Sequence, residues 1–156
     1  NSDVKTVARY LDLLEKMFVI KRVRGFSRNL RNEISKKARY YFLDNGVRNA
    51  VIGQFQPLSL RTDTGALWEN FIFTELLKRD NIADVHSEFY FWRTHTGSEI
   101  DIIREHNGRI EAYECKWSPR AKTRLPAPFA AAYPDTRFTV ITPENYLDLL
   151  LPTTSL

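Results

Sequence analysis

Hydrophobic residues recur along this chain in two rhythms, one helical and one alternating. Val4, Val7, Leu11, Leu14 and Phe18 fall three and four apart, which is the spacing of one helix face, so residues 3–17 predict an amphipathic helix that Ser2 or Asp3 can cap. Residues 18–23 are β-branched and partly alternating, the mark of a strand. Residues 24–29 have turn composition and a basic stretch runs to Lys37. Residues 38–43 predict a second strand, stopped by Asp44-Asn45-Gly46. Residues 47–53 predict a short helix ended by Gly53, and 54–64, with Pro57, a connector. Residues 65–79 predict the strongest helix. Leu67, Trp68, Phe71, Ile72, Phe73, Leu76 and Leu77 make it apolar over more than half its girth, so it packs against a sheet, and Asp63 or Thr64 can cap it. Strands over 87–93, 99–104 and 109–117 follow, the last two joined by a hairpin turn with Asn107-Gly108 at its tip. A short helix at 126–133, a strand at 137–141 and a helix at 144–151, with Thr142 as cap and Pro143 at its first position, complete the order. The class is mixed α/β.

Composition narrows the setting. A chain of 156 residues, 43% of them hydrophobic, makes one ordinary domain or one domain with a small appendage. No apolar run approaches the ~18 residues that span a bilayer. The polar, charged first turn predicts no signal peptide, and no membrane partner is expected. The single cysteine, Cys115, excludes an internal disulfide and suits a reducing, cytoplasmic setting. The start at Asn1 predicts a fragment.

Charge changes the picture more. The net charge is +4, but residues 1–50 hold 12 Lys and Arg against 5 Asp and Glu, whereas residues 51–156 hold 11 against 14. A basic module beside a more acidic one can meet nucleic acid. It can equally be a solvated face, or dock on its acidic neighbour. Helix, strand, basic loop and strand form the second half of a winged-helix module, in which the helix enters a major groove and the loop touches phosphate. Residues 1–50 therefore predict a partial winged-helix-like module. Its candidate nucleic-acid contacts are Arg22, Arg24, Arg28, Arg31, Lys36 and Lys37. No first helix-turn precedes it, so the same elements can also merely brace the next domain.

The candidate chemistry sits on the central hairpin. In a strand, residues two apart share a face, so Glu99 pairs with Asp101 and Glu114 with Lys116. If the hairpin brings those faces together, three carboxylates and one ammonium converge. Glu69 on the buried helix adds a fourth acid, and a carboxylate there is costly unless paired or functional. Cleaving a phosphodiester needs this set. Carboxylates from different elements hold a hard cation such as Mg²⁺ through oxygen. A neighbouring lysine orients the water, stabilises developing charge, or acts as base if its pKa is lowered. Glu-x-Lys alone says little, since roughly half an occurrence arises by chance in a chain this long. Polar residues that simply face solvent, with Glu114 and Lys116 as a surface pair, fit the same pattern. His86, His95 and His106 lack metal-ligand spacing, Cys115 reads as a core thiol, and no Gly-x-x-x-x-Gly-Lys phosphate loop is present. Tyr90, Trp92 and Trp117 can stack bases or fill a core.

Four segments in order carry a resemblance: Thr6-Val7-Ala8-Arg9-Tyr10-Leu11 with Leu14-Glu15; Ala38-Arg39-Tyr40-Tyr41-Phe42-Leu43-Asp44-Asn45-Gly46; Gly65-Ala66-Leu67-Trp68-Glu69-Asn70-Phe71 with Glu75-Leu76; and Phe91-Trp92-Arg93 through Gly97 and Glu99-Ile100-Asp101 to Glu114-Cys115-Lys116. Together they resemble the C-terminal domain of unknown function of prokaryotic AAA-type ATP-binding proteins. Its later part is similar to the PD-(D/E)XK restriction-endonuclease-like fold, a mixed sheet flanked by helices, here expected over 51–156. The resemblance implies Asp101 and Glu114 as metal ligands, Lys116 and Glu69 as catalytic residues, Mg²⁺ as cofactor, DNA as substrate, and an upstream ATPase domain as partner. Glu99-Ile100 stands where the motif's proline would be. Such folds also serve as inactive modules that bind DNA or a protein.

Overall fold

The computed structural model describes residues 3–28, 38–120 and 123–151. Among these, six strands form one mixed sheet in the order β2-β1-β3-β4-β5-β6. β1 (Ile20–Gly25) and β2 (Ala38–Phe42) pair antiparallel at one edge. β3 (Glu88–Arg93), β4 (Glu99–His106) and β5 (Arg109–Cys115) form the antiparallel meander, and β6 (Arg137–Ile141) closes the other edge parallel to β5. The β4–β5 turn forms because Asn107 and Gly108 both take positive φ, 49° and 76°, the backbone a tight two-residue hairpin requires.

Helix α1 (Val4–Lys16) leads into β1, and α2 (Asn45–Ile52) ends at Gly53 in the left-handed conformation. The long helix α3 (Thr64–Ile82) covers one face of the sheet. Its Trp68, Ile72, Phe73 and Leu76 pack with Val23, Tyr41, Phe91, Ile102, Tyr113, Cys115 and Ile141. The short helix α4 (Ala127–Ala132) covers the other face, where Phe129 packs with Phe26, Trp92, Ile100, Ile103 and Ala112. Helix α5 (Tyr146–Leu150) lies against α3. Asp63 does not cap α3 with its side chain, because its carboxylate is taken by Arg48 and Arg61 at 2.8 Å each. No residue of α1 is buried, and Val4, Val7 and Leu14 on its apolar face are exposed. Among the described residues no helix is long and apolar enough to cross a membrane.

The expected boundary at residue 50 does not interrupt the sheet. β1 runs parallel to β3 through Arg24↔Tyr90 and Gly25↔Phe91, and the Phe26 N–H donates to the Phe91 carbonyl at 2.7 Å. The helix-strand-strand part of the basic module is present, but its strands are the outer pair of the same sheet.

A second local feature positions the site. Tyr90 faces Ile103 while Trp92 faces Ile100, so β4 carries one extra residue against Phe91. This bulge lies at Asp101–Ile102, and bulges re-aim side chains where they occur.

Candidate functional site

Asp101 lies where two strands part. The β4–β5 ladder reaches Ile102↔Tyr113. Beyond it the Cys115 N–H donates to Asp101 Oδ2 at 2.9 Å, a side chain completing what the ladder no longer supplies. The next amide, Lys116 N–H, donates to Ile141 on the far side at 2.9 Å.

Two groups of charges flank this point. On the α3 side, Glu69 Oε1 accepts from the Tyr41 hydroxyl at 2.6 Å and from Arg39 Nη1 at 3.1 Å. Arg39 Nη1 also donates to the Asp101 carbonyl at 3.4 Å and stands 3.8 Å from Asp101 Oδ1. Its Nη2 donates to Glu99 Oε2 at 3.2 Å, and the guanidinium lies 4.9 Å from the Phe91 ring centre. On the other side, Lys116 Nζ pairs with Glu114 Oε1 at 2.7 Å. Tyr113 and Cys115 belong to the α3-side core, and Trp117 packs edge-on against Trp68. Strand alternation therefore turns Glu114 away from that core, and Lys116, just past the end of β5, pairs with it. The acids are sorted by their cation partners, while Asp101 and Glu99 still act on Glu114 through their charge. Glu69 and Glu99 are gathered by Arg39, Glu114 by Lys116, and Asp101 stands between them. Among the described residues no three His, Cys, Asp or Glu side chains are arranged to hold a metal ion.

Burial sets the electrostatics. Asp101 and Glu114 are only 7% and 8% exposed. Burial raises the pKa of Asp101 against the Cys115 amide, Lys116 and Arg39. Glu114 is raised by burial and by the charge of Asp101, against the hydrogen bond from Lys116. Glu69 is raised by burial and by Asp101, against Tyr41 and Arg39. For Lys116, burial pulls the pKa down, but the hydrogen bond and charge of Glu114 outweigh it and the group is raised. Lys116 is thus a cation at neutral pH, and the lowered pKa that a role as base requires is not met. Burial pushes the Cys115 thiol well up, which fits a core thiol.

The basic candidates divide as well. Arg22 and Arg24 are exposed on β1, either side of the buried Val23. Arg28 is not a free contact: it pairs with Glu105, and its N–H donates to the Tyr133 hydroxyl at 3.2 Å. Arg31, Lys36 and Lys37 lie outside the described residues. Sequence reading passed over Arg39 and Tyr41. Their signal was alternation, since a charged residue two before a tyrosine on an aromatic strand shares its face.

Residues 64–148 match the model of the family described as Domain of unknown function (DUF4143), which is more than half of the chain. The chain belongs to this family. Residues 1–58 match a second model, Domain of unknown function (DUF8612). An uncharacterized protein of Mycobacterium tuberculosis is 27% identical over 113 residues, covering 71% of this chain and 25% of that protein. One of Haemophilus influenzae is 32% identical over 84 residues, covering 51% of the chain and 19% of that protein. The chain thus spans a quarter or less of the length of these relatives. No solved structure matches.

The DUF4143 segment supplies Glu69, Glu99, Asp101, Glu114 and Lys116, while Arg39 and Tyr41 come from the segment that precedes it. The site is therefore completed across the two segments by the β1–β3 pairing. Chemically, it holds buried carboxylates whose charge is only partly balanced by a fixed ammonium on one side and a fixed guanidinium on the other.

Proposed function

We propose that this chain is the C-terminal domain of an AAA-type ATPase and carries a PD-(D/E)XK-like site that cleaves phosphodiester bonds of DNA with Mg²⁺. One observation carries the reading: at the parting of β4 and β5, Glu114 is paired with the cation Lys116 at 2.7 Å and feels the charge of the buried Asp101. The donor set fits the ion. Mg²⁺ takes hard oxygen ligands, often only one or two carboxylates with water and phosphate completing its shell. Asp101 and Glu114 are buried carboxylates with surplus charge, and they would hold it. When bound, the ion polarises the phosphate and lowers the pKa of its water. Lys116 remains protonated, so it orients the attacking water and offsets charge developing on the phosphate. Glu69 acts on Asp101 through its charge, because its own carboxylate is engaged by Tyr41 and Arg39. The small share of its relatives that the chain covers supports a role as one domain of a longer protein. Incubation with plasmid and linear DNA in Mg²⁺ or Mn²⁺ tests the site. Lys116→Ala is expected to lose on the order of 10²-fold or more in rate. Equal cleavage by both proteins, or cleavage by neither, overturns the reading.

A second reading has its own support. Arg39 already satisfies acids that an active site would leave open, and Arg22 and Arg24 are exposed on the edge hairpin. A catalytically inactive module that binds DNA or a protein partner fits both facts. Salt-dependent DNA binding that survives Asp101→Asn and weakens in Arg22→Ala/Arg24→Ala supports it, and no binding at low salt counts against it.

A further inference from the structure

The most heavily engaged side chain of the site is one that no metal-site reading uses. Arg39, half-buried on β2, meets Glu69 of α3 and Glu99 and Asp101 of β4 with both terminal nitrogens. Nη1 lies 3.1 Å from Glu69 Oε1 and 3.8 Å from Asp101 Oδ1, so the guanidinium stands between the two acids that a bridging cation would join. The Phe91 ring lies beneath it at 4.9 Å, and the Tyr41 hydroxyl fixes the same Glu69 oxygen at 2.6 Å. Arg is suited to such a place because its planar fork meets several oxygens in fixed directions and it is weakly hydrated. Buried carboxylates that lose their partner are strongly destabilising.

The charged groups around Asp101 are Glu69, Glu99 and Glu114 on one side of the balance and Arg39 and Lys116 on the other. Arg93 adds a more distant contact to Glu99 at 3.9 Å. Negative charge exceeds positive on both sides, one ammonium beside Glu114 and Asp101 and one guanidinium among Glu69, Glu99 and Asp101; the sides differ in that Arg39 already stands between its acids.

We propose that Arg39 is a built-in cation that occupies the position of a metal ion between Glu69 and Asp101. Glu69 is then a counter-ion and positioning residue, not a ligand. The corollary, which rests on the proposed function, is that the domain takes a single divalent cation, on the Asp101–Glu114 side, and cleaves without a second metal.

The test removes Arg39 and asks whether a metal can replace it. In the whole chain, Arg39→Met is expected to melt several degrees lower than wild type, at roughly 2–4 °C per kcal/mol for a chain of this size. Millimolar Mn²⁺ should then raise the melting temperature of Arg39→Met by more than it raises that of wild type. Adding Glu69→Gln to Arg39→Met should recover part of the loss without metal, because the orphaned charge is gone. A merely structural arginine would give the recovery with Glu69→Gln but not the Mn²⁺ response, so the metal shift decides. The inference is overturned if Mn²⁺ shifts both proteins equally, or if the double variant melts below Arg39→Met. Where Arg39→Met does not fold in metal-free buffer, its refolding yield with and without Mn²⁺ gives the same decision: recovery supports the inference and no recovery overturns it. Metal titration of the wild type followed by calorimetry is expected to give one site, and two sites overturn the corollary. Failure of wild type to cleave DNA is read separately and bears on the proposed function, not on the metal rescue of Arg39→Met.

Discussion

Asp101 is a buried acid whose environment disfavours its charge, and this has a measurable sign. Burial raises its folded pKa above the unfolded value of about 4. The folded state then holds the proton more tightly, so stability is greatest with Asp101 protonated and is lost as pH rises from about 4 through the raised folded pKa. Asp101→Asn removes that cost. The amide oxygen can still accept from the Cys115 N–H, and Arg39 keeps Glu69 and Glu99. We expect Asp101→Asn to be more stable than wild type at neutral pH by about 0.5–2 kcal/mol, the usual gain from relieving a functional group. The gain should vanish in acid, below the unfolded pKa, where both proteins are uncharged at this position. Thermal melts across pH check it, and a variant that is less stable at neutral pH refutes the electrostatic account. Asp101, Glu114 and Lys116 were legible from sequence because strand alternation is local. Arg39 was not, because its partners lie 30, 60 and 62 positions away, and no local pattern states which acids a strand will meet. The sorting of the acids between two cations was also hidden, because an ion pair's partners are set by tertiary placement, as is the bulge at Asp101–Ile102 against β3.

Helices and strands followed from periodicity along most of the chain, yet what ties them together is polar. Asn70 on α3 acts as a piece of strand. Its Oδ1 accepts from the Phe42 N–H and its Nδ2 donates to the Phe42 carbonyl, both at 2.9 Å, and Nδ2 also reaches Asn45 Oδ1 at 2.8 Å. The helix thereby completes the edge of β2 and holds Arg39 and Tyr41 over the site. Asn70→Ala leaves both Phe42 groups without this partner, at ~1–3 kcal/mol each, so a loss of about 2–6 kcal/mol is expected in denaturant titration. The other end of α3 has a charged clamp. Asp80, 3% exposed, accepts from Arg104 Nε at 2.5 Å and from Ser87, and Arg104 reaches Glu111 at 2.7 Å. Burial pushes the Asp80 pKa up, but the hydrogen bonds from Arg104 and Ser87 outweigh it and hold the pKa down. With a lowered folded pKa, its contribution is present above the unfolded value of about 4 and is lost as pH falls through the folded value. Asp80→Ala leaves Arg104 with Glu111 alone and Ser87 without its acceptor, and should cost about 1–3 kcal/mol by the same titration at neutral pH. Sequence alone gave Asp80 no such role, since it reads as one more polar residue near a helix end.

At the scale of the molecule, two matched family segments share one sheet, and the decisive seam is the pairing of β1 with β3. β1 brings Val23 into the α3-side core and leads to Phe26, which packs with Trp92 and Phe129 on the other face. β2 brings Tyr41, stacked on Phe73 at 4.1 Å between ring centres, together with Arg39. The unequal charge of the two halves suggested a separable basic module, because charge is visible in sequence and sheet order is not. Residues 51–156 alone would keep the meander, α3 and the acids. They would lose Tyr41 over Phe73, Phe26 beside Trp92, the guanidinium between Glu69 and Asp101, and the strand that covers the β3 edge. An uncovered edge with Phe89, Phe91 and Trp92 on it is a template for association. We therefore expect residues 51–156, expressed without residues 1–50, to aggregate or to melt without a cooperative transition, whereas the whole chain unfolds in one. Size-exclusion chromatography and thermal circular dichroism decide this. A monomeric 51–156 fragment with a sharp transition would show that the seam is an addition to the sheet and not a condition of it. Supplying residues 1–50 as a separate peptide should restore cooperativity if the seam alone is missing, because the two pieces then rebuild the same edge.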